Sequence, residues 1–297
     1  MKKFKSKKKR FLLIFLLVVL ITAILLTVGI VVSYKCLTVS SYTLQSDRIK
    51  NETRMVMISD LHNSEFGKNN TRLIEKIKDQ KPDIILVVGD MINAHGQDAH
   101  VATGLIKNLV KIAPVYYSLG NHEENFMANR SSDIVRELEQ AGAVVLDKEY
   151  QDIQVKGNKI RIGGIYDYAF ALDGEDSTKK EHMDPKIYGF LKDFESTDVF
   201  RCMMAHRPDS FIFGEAAQTW NIDLVVSGHD HGGQIILPVL GGVFGGDQGL
   251  FPEYVDGIHH FKTVKNMIIT RGLGSQKEKL PRFNNIPEIV DITLKSK

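Results

Sequence analysis

The side chains best suited to chemistry fall in five short clusters: Asp60-Leu61-His62, Gly89-Asp90, Gly120-Asn121-His122-Glu123, His206, and Gly228-His229-Asp230-His231-Gly232-Gly233. Their donors are carboxylate, amide and imidazole, with no thiolate. That set suits Mn, Fe, Zn or Co in an open site rather than a closed structural zinc site. Asp60 and His62 are two apart, so at a strand end both reach one side and one ion. Asp90 offers two oxygens able to bridge two ions, and Gly89 lets the backbone turn sharply before it. Asn121 adds an amide oxygen, and His206, His229 and His231 add ring nitrogens. A lone Gly-Asp is usually a turn and a lone core histidine usually structural; it is the joint set that points to a metal site.

The clusters need strands to hold them. Apolar runs at 55–59, 84–88, 115–119, 199–205 and 224–227 read as buried strands ending at or next to a cluster. Helical spacing is expected over 70–80, 101–112, 132–141 (capped by Ser131 or Ser132), 185–194 and about 209–217. Further strands are expected at 144–146, 153–155, 159–162, 234–237, 260–264, 267–270 and 289–294, and 170–182 reads as a surface excursion. The β-α-β-α-β run from 55 to 119 implies parallel strands with right-handed crossovers. The whole pattern predicts two sheets packed face to face with helices outside.

Composition is that of a globular protein, 43% hydrophobic and 25% charged over 297 residues. The net charge is +2, but residues 2–10 carry seven basic side chains, leaving −5 from residue 11 onward. A mildly acidic folded part argues against a nucleic-acid groove. Residues 11–32 are unbroken apolar sequence, about the ~20 residues a bilayer-crossing helix needs. The basic residues before them predict a cytoplasmic N-terminus and an external remainder. The rival is a cleaved signal peptide, which calls for a shorter apolar core and an Ala-x-Ala-like site. The expected division is a basic tail (1–10), a transmembrane anchor (11–32), a stalk or lead-in strand (33–53) and a catalytic domain (54–297). Cys36 and Cys202 are the two cysteines and are not expected to pair.

The clusters, in this order, resemble the signature of the calcineurin-like metallophosphoesterase superfamily over residues 54 to about 294. His206-Arg207-Pro208-Asp209, the extended Gly228 to Gln234 motif, Arg271-Gly272-Leu273-Gly274 and Arg282-Phe283-Asn284-Asn285 are similar to a bacterial, membrane-attached branch acting on phosphodiester or pyrophosphate bonds of lipid-linked substrates. The resemblance implies a four-layer α/β/β/α sandwich, an α/β fold with two mixed sheets. It implies that Asp60, His62 and His231 hold one divalent ion, Asn121, His206 and His229 a second, and that Asp90 bridges them. Mn²⁺ is the first choice of metal.

Activity is then expected to be hydrolysis of a phosphoester by water activated on the metals. His122 would stabilise the transition state or protonate the leaving oxygen. Glu123 either orients His122 or merely solvates its loop, and Arg271 and Arg282 are candidate phosphate ligands or surface ion-pair partners. His95 and His100 lie in the loop after Asp90, within conceivable reach of substrate. Val239, Leu240, Val243, Phe244, Leu250 and Phe251 form either an apolar lip facing lipid or ordinary loop packing. A phosphomonoesterase and a non-catalytic, metal-stabilised scaffold are the alternatives, and no obligate protein partner is expected.

Overall fold

Alternation along residues 53–58 sets the layers. Val56 and Ile58 join a cluster with helix residues on one side, while Met55 and Met57 join a cluster with a second sheet on the other. Successive side chains of a strand point to opposite faces, and both faces here are buried. The structure, a computed structural model, describes residues 2–130, 133–166, 179–213, 216–275 and 281–297.

The first half contains α1 (Lys2–Lys35), β1 (Thr38–Ser46), β2 (Thr53–Ile58), α2 (Thr71–Asp79), β3 (Ile84–Val88), α3 (His100–Leu109), β4 (Val115–Ser118), α4 (Asn121–Arg130), α5 (Ile134–Gln140) and β5 (Val144–Leu146). Next come β6 (Glu149–Val155), β7 (Asn158–Ile165), α6 (Pro185–Glu195), β8 (Phe200–Ala205), α7 (Asp209–Ile212), α8 (Ala216–Thr219) and β9 (Leu224–Ser227). The last part holds β10 (Ile236–Leu237), β11 (Gly241–Gly242), β12 (Phe244–Gly245), β13 (Gly249–Leu250), β14 (Gly257–His259), β15 (Met267–Ile269) and β16 (Glu288–Ser296).

Two six-stranded mixed sheets result, ordered β1-β16-β2-β3-β4-β5 and β14-β15-β9-β8-β7-β6. Strands β2 to β5 are parallel, as are β7, β8, β9 and β15. Leu86, Val88, Phe200, Met204, Val226 and Ile292 fill the space between the sheets. Leu73, Leu105 and Leu138 cover the outer face of the first sheet, and Ile187, Phe194, Phe211 and Trp220 that of the second. This is the expected α/β/β/α sandwich.

Several elements differ from the sequence expectation for identifiable reasons. Residues 38–46 are a sheet strand, paired in register with all of β16 from Thr38 opposite Glu288 to Ser46 opposite Ser296. This is the lead-in strand of the two expectations, and its polar composition also suits a stalk because an edge strand leaves much of itself in water. Helix α4 is unexpected, since NHEENFMANR carries no apolar stripe at helical spacing. Helix α5 is capped by Asp133, which accepts from the Arg136 N–H, rather than by Ser131 or Ser132, which lie outside the described residues. The expected strand at 260–264 is instead a turn closed by Phe261 N–H to Val264 O, with β14 just before it. Helix 209–217 is two short helices, and residues 170–178 of the expected excursion lie outside the described part.

Helix α1 is long and apolar enough to cross a membrane over Lys7–Lys35. Its last turns touch the folded domain. Gly29 and Ser33, four apart and so on one face, are both buried. Cys36 and Cys202 are both free.

Candidate metal centre

Each donor cluster sits on a chain reversal at a strand end, and the backbone there is held in an unusual state. Asp60, His62, Asp90, His229 and His231 all have φ between 48° and 72°. Non-glycine residues rarely adopt this left-handed region, and surrounding contacts must hold them there. Backbone bonds do so. Asp60 N–H donates to Gly89 O, His62 N–H to Asp90 O, and Asn63 N–H to Met91 O, lacing the end of β2 to the end of β3. Gly120 is required by close approach, since a Cβ there would collide with Asp90 Oδ1.

Glu123 ties the reversals together. It is fully buried; one carboxylate oxygen accepts from the N–H groups of Asp90 (2.8 Å) and Gly120 (2.9 Å), the other from Met91 N–H (2.8 Å) and the Tyr117 hydroxyl (2.7 Å). Neither expectation for Glu123 holds: it braces the Asp90 loop. Helix α4 makes this possible, because its first turn brings Asn121, His122 and Glu123 back towards β3.

The donor atoms converge. His62 Nε2 lies 3.3 Å from His231 Nε2 and 4.0 Å from Asp60 Oδ1, and His231 Nε2 is 3.8 Å from Asp60 Oδ1. His206 Nε2 lies 3.1 Å from Asp90 Oδ2, poorly aligned for a hydrogen bond, and its ring meets that of His229 edge-on at 5.2 Å. Ligand-type atoms of Asp60, His62 and His231 form one group, and those of Asp90, His206 and His229 another, each within 4.8 Å. Asn121 Oδ1 is buried with no hydrogen-bond partner.

Hydrogen bonds on the far side of each ring decide which nitrogen has a lone pair to offer. His206 Nδ1–H donates to Val88 O at 2.8 Å. His62 Nδ1 pairs with Asn93 Oδ1 at 3.1 Å while the Asn93 amide donates to His62 O, so Nδ1 of His62 carries its proton. Both Nε2 atoms therefore face the centre; that of His62 offers its lone pair outright, and that of His206 does so once its proton is displaced. His122 is the reverse: its Nδ1 accepts from Ala94 N–H at 2.9 Å, so the proton sits on Nε2, 3.9 Å from Asp90 Oδ2.

Electrostatics fit cations. Burial lifts the Asp60 carboxyl to about 7, with Asp90 adding to the rise and His206 opposing it. Burial likewise pushes His62 down to about 3. For Asp90 burial pulls upward, but His206, His62 and His122 together outweigh it and hold the carboxyl well below its usual value. Burial alone would lower His206, yet Asp90 and Asp60 hold it up at about 9. Two buried carboxylates need positive charge beside them. Among the side chains alone His206 supplies it, and a divalent cation would displace that proton. With two carboxylates, several lone-pair imidazoles and an orphaned amide oxygen, the residues fit two such ions.

Arg282 is a correction. It is fully buried, and its guanidinium donates to the backbone oxygens of Arg271 (2.8 Å), Gly274 (2.9 Å) and Asn285 (3.2 Å) and to Asn285 Oδ1 (3.0 Å). It holds loops together and has no face for phosphate; burial brings it down to about 10. Arg271 commits Nη2 to Glu288 at 2.9 Å. His100 is exposed beside Asp98, whereas His95 lines a cavity of about 850 Å³ shared with Tyr34, Lys35, His62, Asn63 and Asn93.

Other contributors went unmarked in the sequence. Asn93, three residues after Asp90, fixes the His62 ring. Asp247 Oδ2 lies 3.4 Å from His229 Nε2, and Asn285 Nδ2 donates to His231 O at 2.6 Å. Gln248 and Gly246 N–H donate to the carboxylate of Asp230. The Gly-Asp-Gln triplet at 246–248 was the one visible cue, a polar break in an otherwise apolar loop.

Comparison with known proteins agrees. The sequence profile of the calcineurin-like phosphoesterase family matches residues 53–233. An uncharacterised metallophosphoesterase of Campylobacter jejuni is 26% identical over 87% of this chain and 63% of its own length, so the chain spans under two thirds of that relative. Phosphodiesterase YaeI of Escherichia coli is 26% identical over 81% of this chain and 82% of its own. Among solved structures, a 5′-nucleotidase precursor of Thermus thermophilus overlaps 74% of this chain and 48% of its own, at 14% identity and a TM-score of 0.49. With the profile covering well over half the residues and every signature cluster gathered at one edge of the paired sheets, this chain belongs to the calcineurin-like phosphoesterase family.

Proposed function

We propose that the protein is a membrane-anchored, metal-dependent phosphoester hydrolase that cleaves a phosphodiester or pyrophosphate bond, with the catalytic domain outside the cell. The observation that carries this reading is the pair of buried carboxylates, Asp60 and Asp90, set among imidazole lone pairs and the orphaned Asn121 Oδ1. Asp60, His62 and His231 would hold one divalent ion and Asn121, His206 and His229 the other, with Asp90 available to both. Mn²⁺ heads the candidates, with Fe, Zn and Co next, on the oxygen and nitrogen donor set. When bound, two such ions supply Lewis acidity to the phosphoryl oxygens and lower the pKa of water.

The chain's own residues do the rest. Ala94 N–H keeps the His122 proton on Nε2, where the neutral ring can donate a hydrogen bond to the negative charge that develops on the reacting oxygens. Glu123 and Tyr117 keep Asp90 from moving, and Asn93 keeps the His62 lone pair aimed inward. A lipid-linked substrate is supported by the cavity beside His62, whose other walls include Tyr34 and Lys35, the last residues of α1. The name of the Escherichia coli relative supports a diester.

The test is turnover of bis(p-nitrophenyl) phosphate and p-nitrophenyl phosphate by the full chain in detergent, after chelation and after adding back each metal. Metal-dependent cleavage of the diester supports the reading, and preference for the monoester replaces it with a phosphomonoesterase. Two equivalents of bound metal without cleavage of either ester or of a lipid pyrophosphate leaves a scaffold.

A further inference from the structure

Among the described residues, the largest apolar exposure outside α1 lies on two small hairpins next to the metal centre. In β10–β11 the turn residues Val239 and Leu240 are 104% and 62% exposed; in β12–β13 and just beyond it Leu250 and Phe251 are 71% and 55% exposed. Val239 and Phe251 also have φ of 74° and 53°. A branched side chain in that region costs free energy, so the fold holds Val239 outward against its local preference.

These hairpins are bonded to the segment that grips α1. Phe283 N–H donates to Gln234 O, Ile236 N–H to Phe283 O, and the Asn284 amide to Ile236 O. The same segment seats on the helix. A Cβ at Gly29 would come within 2.5 Å of the Phe283 ring, Asn285 N–H donates to Ser33 Oγ at 3.0 Å, and Arg282 N–H to the Tyr34 hydroxyl at 3.0 Å. Arg72 Nη2 adds a second tie, to Lys35 O at 3.0 Å.

Gly29 lies inside the apolar run, only three residues before its end at Val32, or ~5 Å along the axis at ~1.5 Å per residue. Val239 is three residues beyond Ile236, at most ~10 Å away at ~3.3 Å per residue. A bilayer crossed by 11–32 would therefore have its outer interface near the segment that carries both tips, which Val243 N–H to Ile235 O and Phe251 N–H to Val243 O hold side by side.

We propose that Val239, Leu240, Leu250 and Phe251 form a second membrane contact, inserted in the interface of the leaflet that α1 leaves, so that the domain lies on the bilayer with its metal centre at the lipid surface. This rests on α1 being a membrane span. The same loop carries Asp247 against His229 and Gln248 against Asp230, so the surface that enters lipid is built on the wall of the site.

The experiment places a tryptophan at Leu240 of the full chain in phospholipid vesicles and measures quenching by lipids brominated on their acyl chains. Buried Trp220 supplies the parent signal to be subtracted. Leu20→Trp reports the span and Val144→Trp, on the far edge strand β5, reports water. The expected result is quenching at Leu240 comparable with that at Leu20, and none at Val144. Quenching at Leu20 but not at Leu240 overturns the proposal while leaving the anchor intact, and assigns the tips to water or to a protein partner. No quenching at Leu20 overturns the span itself, and the proposal with it.

Discussion

The two walls of the metal centre are built on opposite principles. One wall, from the ends of β2, β3 and β4 with the first turn of α4, is dry and saturated: Glu123 accepts four hydrogen bonds, Tyr117 is fully buried, and Asp90 is held at its N–H and at Oδ1. The other wall, residues 228–251, has two-residue strands, exposed apolar tips and a carboxylate, Asp247, whose side chain is 34% exposed. The difference separates two tasks. Chemistry needs donors fixed to a fraction of an ångström, whereas contact with an amphiphilic substrate or a lipid surface needs apolar area left uncovered.

If that division is right, substitutions in the first wall cost most. Asp90→Asn removes the one carboxylate between the two groups of ligands. Both ions weaken and turnover falls by at least about 10³-fold, since Lewis acidity and water activation leave together. Elemental analysis of the purified variant reads the metal loss directly. His122→Ala should keep its metals and lose about 10² to 10³-fold in turnover, the range of a hydrogen-bond donor to transition-state charge. Equal metal loss in the two variants would break the distinction between holding ions and stabilising the reacting oxygens.

Glu123→Ala tests the saturation of that wall. It leaves three buried N–H groups and a buried hydroxyl without their acceptor, at ~1–3 kcal/mol each before relaxation, so destabilisation of roughly 3–5 kcal/mol is expected. Thermal unfolding should fall by several degrees even with chelator present. Tyr117→Phe, which removes one of the four donors, should cost only about 1 kcal/mol. A Glu123→Ala protein as stable as wild type would mean that water replaces the carboxylate and that the wall is not dry.

The same contrast explains what could be read from the sequence. The donor clusters were legible because Asp, Asn and His beside glycine at the ends of apolar runs leave few alternatives, and the sandwich was legible because Val, Ile and Met alternate between two buried faces. Glu123 was misjudged because two of its partners are the backbone N–H groups of Asp90 and Met91, 33 and 32 positions away, which no side-chain pattern records. Arg282 looked like a phosphate ligand for a related reason: a buried arginine whose partners are carbonyls has the same letter as an exposed one. The composition of β1 leaves stalk and lead-in strand open, because its pairing with β16, 250 residues later, is specified by backbone and not by composition. Asp247 was missed because its contact with His229 depends on how a Gly-rich loop folds back.

Asp247 supplies the smallest and most discriminating effect. Its Oδ2 stands 3.4 Å from His229 Nε2, longer than a tight hydrogen bond, and it is partly open to water, so solvent screens the pair. Groups that orient a metal-bound histidine are worth ~10–100-fold in metal affinity, and Asp247→Ala should fall at the low end of that range. Asp247→Asn should lose less still, because the amide oxygen can accept from Nε2–H in the same place. Titration with a chelator, scored by residual activity and by bound metal, separates the two variants. A loss as large as that of Asp90→Asn would mean that the loop wall holds the ion as firmly as the strand ends do, and the contrast between the walls would not stand. A loss confined to Asp247→Ala, with the unfolding temperature unchanged, would locate the effect in the aim of one imidazole and leave the loop free to serve the surface it faces.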